Sequence, residues 1–139
     1  MAIAKWSLPN ARSANQAGTA LNSLANGTAS ALITYPNFED RDLYAAVTIK
    51  LGSITPVTGG SVTLRVYAGD GIDFPDANGG AFDSYVVALA PGAGAKVVIL
   101  PLVRLHPFTL RLQVVNNAGV TTAASGNELY LRTYSEEVI

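Results

Sequence analysis

Cysteine is absent from the 139 residues. That removes disulfides and thiolate metal sites at once, so stability must come from burial and backbone pairing. Charge is scarce too: 14% of residues are Asp, Glu, Lys or Arg, and the net charge is −1 at pH 7. A nucleic-acid binder clusters Lys and Arg to neutralise several phosphates. Here Lys5, Arg12, Arg41, Lys50, Arg65, Lys96, Arg104, Arg111 and Arg132 are scattered, and no nucleic acid is expected as a partner. His106 is the only histidine, which excludes a metal centre built on several imidazoles. The longest apolar run, Val97 to Val103, falls far short of the roughly 20 residues a spanning helix needs, so no membrane partner is expected. Met1-Ala-Ile-Ala-Lys-Trp lacks the charged segment and apolar core of a secretory signal. The expectation is a soluble protein made in a cytoplasm.

What is present is alternation. Apolar residues make up 49% of the chain, and they recur with a period of two, the repeat of a half-buried β-strand. In Leu43 to Gly69, the residues Leu43, Ala45, Val47, Ile49 and Leu51 share one face. After a loop marked by Pro56, Gly59 and Gly60, Val62, Leu64 and Val66 share another. This stretch reads as an antiparallel strand pair with one dry and one wet face, the nucleus of the fold. Ser84 to Leu89 and Lys96 to Leu100 read as a second pair around Pro91-Gly92-Ala93-Gly94. Phe108 to Val115 and Glu128 to Tyr134 alternate again. Asn26-Gly27 predicts a hairpin turn inside Thr19 to Thr34, with Leu21, Ala29, Ala31 and Ile33 inward and a short helix as the rival for its first part. Pro101 and Pro107 place Leu102 to His106 on an edge or in a loop.

About eight short strands and no helix of ordinary length predict an all-β fold: an antiparallel two-sheet sandwich, jelly-roll-like, with a closed barrel as the alternative. Residues 19–139 form the single domain. Residues 1–18 have no clean period and are read as an extended N-terminal arm carrying the only tryptophan, Trp6. That arm either frays at the domain edge or docks on a neighbouring subunit.

Candidates for chemistry are few. Asp70, Asp73, Asp76 and Asp83 share one Gly-rich loop. Their spacing does not match the helical calcium loop, and Asp commonly bonds its own turn. The other acids, Glu39, Asp40, Asp42, Glu128, Glu136 and Glu137, show no spacing that sets a glycosidase pair. His106 has no Gly-x-Ser-x-Gly elbow to serve, and Gly92 and Gly94 precede no Gly-Lys-Ser/Thr. Asn26-Gly27-Thr28 matches a glycosylation sequon but reads better as a turn. No catalytic residue, metal ligand or cofactor is therefore assigned, and the chain is expected not to be an enzyme. Tyr44, Tyr67, Tyr130 and Tyr134 fall at alternate strand positions, where exposed rings serve a sugar platform or a subunit interface as well as strand propensity.

Several phrases resemble the small β-sandwich decoration, or cement, proteins on the heads of tailed bacteriophages. They are Thr19-Ala-Leu-Asn-Ser-Leu-Ala-Asn-Gly, Asp42-Leu-Tyr-Ala, Leu51-Gly-Ser, Thr55-Pro56 with Gly59-Gly60, and Asp70-Gly-Ile-Asp-Phe-Pro-Asp. The chain departs from that pattern in lacking Asn or Thr after Gly71. The resemblance implies a structural virion protein on the outer capsid surface, synthesised in the host cytoplasm and often a homotrimer. Its partner would be the major capsid protein, whose subunit joints it clamps, and it needs no cofactor. On this reading the arm and the loop Tyr35 to Asp42 contact the shell through Trp6, Leu8, Arg12, Phe38 and Arg41, with Trp6 as the anchor. The alternative is a carbohydrate- or receptor-binding β-sandwich module of a phage virion.

Overall fold

The computed structural model describes residues 3–37, 41–77 and 79–138. Among these described residues there are nine strands: β1 (Ala4–Trp6), β2 (Ile33–Pro36), β3 (Tyr44–Ile54), β4 (Ser61–Ala68), β5 (Asp83–Ala88), β6 (Gly94–Arg104), β7 (Thr109–Asn117), β8 (Glu128–Tyr134) and β9 (Glu136–Val138). All pairings are antiparallel. One sheet runs β2-β7-β4-β5, the second β6-β3-β8, and β1 pairs with β9. The antiparallel two-sheet sandwich expected from the alternation is the architecture observed. No helix occurs among the described residues.

The apolar faces read from the period-two pattern are the ones that bury. Ala45, Val47, Ile49 and Leu51 of β3 join Val62, Leu64 and Val66 of β4, Leu110, Leu112 and Val114 of β7, and Leu129 and Leu131 of β8 in one core cluster. Each fully buried Val or Leu contributes roughly 1.5–3 kcal/mol relative to exposure. Leu43 is the exception: it precedes β3 and stays exposed.

The pairing of those strands differs from the sequence expectation. β3 and β4 are not a hairpin; they lie in different sheets. Both edges of β3 are taken by β6 and β8, and both edges of β4 by β5 and β7. Two central strands with strong apolar faces gain more by meeting face to face across the core than edge to edge. The loop between them is held to the end of β7, where the Val57 N–H donates to the Ala118 carbonyl at 2.9 Å. Likewise β5 and β6 do not pair: β5 adds to β4, and β6 to β3.

Two smaller expectations also change. Gly27 does turn, with φ +77°, but no hairpin forms. The turn is pinned to the β7 end, where Gly27 N–H donates to Asn116 O at 2.6 Å and Gly119 N–H to Asn26 Oδ1 at 2.8 Å. Of the inward positions expected there, Leu21 and Ile33 are buried, Ala29 is half-buried and Ala31 is exposed. The polar face of β4 is not uniformly wet either, since Thr63 and Tyr67 are buried.

Sheet edges invite foreign strands unless blunted. On the edge strand β6, Lys96 points inward and is buried, its Nζ donating to Gly92 O at 2.7 Å. The β3–β6 register shifts between Ala45 and Val47 on the β3 side, where β6 carries Pro101. An inward charge and a proline both discourage further pairing. The edge formed by β8 is closed differently, and that closure builds the candidate site.

Candidate functional site: the arm and the aromatic outer face

The N-terminal arm runs antiparallel to the C-terminal strands of its own domain. Ala4, Lys5 and Trp6 pair with Val138, Glu137 and Glu136 one for one. Beyond them the spacing changes. The N–H groups of Ser7, Asn10, Ser13 and Gln16 donate to the carbonyls of Ser135, Thr133, Leu131 and Leu129, at 2.8–2.9 Å. The arm advances three residues while the strand retreats two. It therefore cannot be a regular β-strand, whose partners advance in step.

Short polar side chains fill the other half of three of the four rungs. The N–H groups of Ser135, Leu131 and Leu129 donate to Ser7 Oγ, Ser13 Oγ and Asn15 Oδ1, at 2.7, 3.0 and 3.0 Å. Backbone donors on a strand edge must pair or stay wet, and Ser and Asn are short enough to reach them without a regular ladder. The signal was present in the sequence as polar residues at three-residue spacing, Ser7, Asn10, Ser13 and Gln16. A search for periods of two and 3.6 passes over it.

Asp42 ties the arm to the body. Its Oδ2 accepts from Asn10 Nδ2 at 2.8 Å and its Oδ1 from Ser135 Oγ at 3.1 Å. Asn37 braces it from below, donating through Nδ2 to the carbonyls of Asp42 and His106. The sequence named Asp42 only as an acid of this loop and left Asn37 and Asn10 unremarked, because Asn and Asp in a loop signal only a turn.

Above this ladder lies the outer face of the three-stranded sheet. Tyr44 and Tyr134 are cross-strand partners, with ring centroids 5.7 Å apart. Trp6 meets each edge-on at 5.5 Å, the favoured geometry for aromatic pairs. The indole nevertheless remains 55% exposed. Beside it is a recess of about 460 Å³ lined by Trp6, Ser7, Pro9, Pro101, Leu102 and Tyr134. The two hydroxyls there are engaged: Tyr134 donates to Pro101 O at 2.7 Å, and Ser7 Oγ accepts from Ser135. Further along, the Arg12 guanidinium sits 3.9 Å over the Tyr130 ring, with Lys50 at 5.7 Å.

The structure thus brings Trp6, Arg12, Tyr44, Tyr130 and Tyr134 onto one face. Leu8 stands on the arm with 88% exposure. Arg41 is exposed, at φ +51°, in the loop beside Asp42. Phe38 lies outside the described residues. Tyr67, grouped with the exposed tyrosines by its alternation, is instead buried at 1% exposure, its hydroxyl donating to Gln113 Oε1 at 2.9 Å.

Partial burial holds the Tyr44 and Tyr134 phenols above their ordinary value of 10.0, aided at Tyr44 by Glu136; at Tyr130 the leading cause is the hydrogen bond to Glu128. A raised pKa favours the neutral phenol in the fold. The resulting stabilisation is complete below pH 10 and is lost as pH rises through the raised values. In an alkaline titration followed by phenolate absorbance, these three tyrosines are expected to ionise above 10.0, with the aromatic cluster opening as they do. Titration at the unfolded value would contradict the packing described.

The remaining candidates dissolve into structure. Asp70 Oδ1 accepts the N–H groups of Ile72 and Asp73 at 2.9 and 2.7 Å, and these bonds hold its carboxyl below the usual 3.8. Asp83 accepts from Ser84 N–H and the Tyr85 hydroxyl. Among the described residues no three His, Cys, Asp or Glu side chains gather to hold a metal. His106 packs between Phe82 and Phe108, and its buried Nδ1 has no hydrogen-bond partner among the described residues.

No protein-family model matches the sequence, and a comparison with curated proteins finds no similar one. Among solved structures, a family GH115 4-O-methyl-α-glucuronidase with specificity for decorated arabinogalactans aligns over 89% of this chain. The identity is 13% and the TM-score 0.42, and the chain spans 16% of that protein's length. TmCBM61, solved in complex with β-1,4-galactotriose, aligns over 98% of this chain and 87% of its own, at 10% identity and TM-score 0.33. Neither likeness bears on what this chain binds.

Proposed function

We propose that this chain is a non-catalytic structural subunit that adheres to a repetitive protein surface: a decoration protein of a tailed-bacteriophage head, gripping the major capsid protein. The observation that supports this best is the Trp6 recess. An exposed indole braced by two tyrosines, beside a hollow whose hydroxyls are already bonded, suits an apolar side chain of a protein partner. Such aromatic anchors carry a large share of interface energy. Adhesion at many equivalent sites stabilises a shell by mass action and needs no chemistry from the binder.

The test is co-sedimentation of the purified protein with expanded, undecorated heads. Wild-type protein is expected to pellet with the heads and to raise their melting temperature. Trp6→Ala is expected to weaken binding at least about tenfold, since loss of an anchor costs roughly 2 kcal/mol or more. Absence of pelleting by folded wild-type protein would reject the proposal.

The same exposed rings support a second reading, a saccharide platform stacked on Trp6 or Tyr130. A sugar also requires hydrogen-bond partners, and the recess beside Trp6 offers few. Binding on a glycan array that depends on Tyr44, Tyr130 or Trp6 would favour this reading over the first.

A further inference from the structure

The arm that closes the β8 edge is joined to its own domain at one point only. Ala17 and Leu21 are buried and anchor the chain, and Gly18 follows Ala17 at φ +54°, where an added Cβ would meet nothing within 4 Å. From residue 4 to residue 16, the hydrogen bonds that fasten the arm go to residues 128–138 and Asp42. The ring contacts of Trp6 and Arg12 go to Tyr44, Tyr134 and Tyr130. Most arm side chains are exposed, with Ser7, Ser13 and Gln16 only half-buried. Lifting the arm therefore opens no core cavity.

From this we propose that the arm is exchanged between copies of the chain. Residues 4–16 of one copy lie along residues 128–138 of a second, in the register seen within one chain. Every bond of the closed form is remade in trans, because the acceptor edge is identical. The enthalpies of the two forms are then nearly matched, and the balance is set by the concentration of neighbouring copies against the effective concentration of the tethered arm, which is on the order of millimolar. Exchange of an identical element is a low-cost route to association. The inference concerns the chain alone and stands whether or not a capsid is its partner.

The absence of cysteine makes the test direct. Two single-cysteine chains are prepared, Asn10→Cys and Thr133→Cys, at positions whose side chains touch at 2.9 Å in the closed form. They are mixed at concentrations approaching millimolar and oxidised. Neither chain can form the link internally, so a 10–133 disulfide reports an arm in trans. The mixed dimer is expected to exceed the 10–10 and 133–133 dimers at least about tenfold. Should Asn10→Cys fail to fold, judged by its melting transition, Ser7→Cys with Ser135→Cys carries the same test. A folded pair whose mixed dimer is no more abundant than the symmetric ones overturns the proposal.

Discussion

Deletion of residues 1–16 is expected to turn the closed β8 edge into a self-associating one. The arm accounts for four backbone bonds to the carbonyls of Leu129, Leu131, Thr133 and Ser135, and for three side-chain acceptors on the N–H groups of the same edge. Each such bond is worth roughly 0.5–1.5 kcal/mol net, and a bare edge is a template for another strand. The other long edge, on β6, is guarded by inward Lys96 and by Pro101; β8 has the arm. Light scattering at micromolar concentrations is the measurement. The truncated chain is expected to grow in mass with concentration where the intact chain remains near 14.4 kDa. Hydrogen exchange at Leu129, Leu131 and Ser135 should accelerate by about ten- to a hundredfold, the equivalent of roughly 1–3 kcal/mol. A truncated chain that stays monomeric, with those amides still protected, would show that the arm does not seal the edge. The same truncation is expected to weaken binding to undecorated heads, because Trp6 leaves with the arm.

Gly52→Ala is expected to produce the largest loss of stability from a single added methyl group. Gly52 sits where β3 changes register, between Leu51 and Ile54, and its N–H donates to Asn127 Oδ1 at 2.9 Å. A Cβ there would stand 2.3 Å from the Ser125 carbonyl oxygen and 2.7 Å from the Ala123 Cβ. The first obstacle is backbone, so the β7–β8 connection must move and the Asn127 bond must stretch. Overpacking of this kind costs about 2–4 kcal/mol once the hydrogen bond is included. For a domain of this size the melting temperature should fall on the order of 10 °C. Gly79→Ala is the control: nothing lies within 4 Å of its Cβ, and a change within about 0.5 kcal/mol is expected. Equal denaturation midpoints for the two variants would mean that the close approach at Gly52 is not maintained in solution.

These two sites differ in how far the sequence announced them. Gly52 appears in the sequence only within the phrase Leu51-Gly-Ser, without any indication of what approaches it. The arm appeared as a stretch without period, and its Ser and Asn residues read as loop chemistry. Trp6 and Arg12 were named from the sequence as candidate contact residues. Tyr134, Pro101 and Leu102, which frame them, were not grouped with them, because they arrive from β8 and β6, far along the chain from the arm.

The order of residues along the chain by itself determined the apolar inner face of the long strands. Ile49, Leu64, Leu112 and Leu131 had to face inward once their neighbours alternated with them, because a strand offers only two faces. It also determined that the fold is all-β and lacks any thiol chemistry. Only the tertiary structure decided which strands are neighbours, that the arm lies on β8, and that the rings of Trp6, Tyr44 and Tyr134 meet. The physical reason is the difference in range. Facing is set by dihedral geometry within one strand. Pairing is a competition among distant edges for the same hydrogen bonds, and its outcome depends on every strand at once.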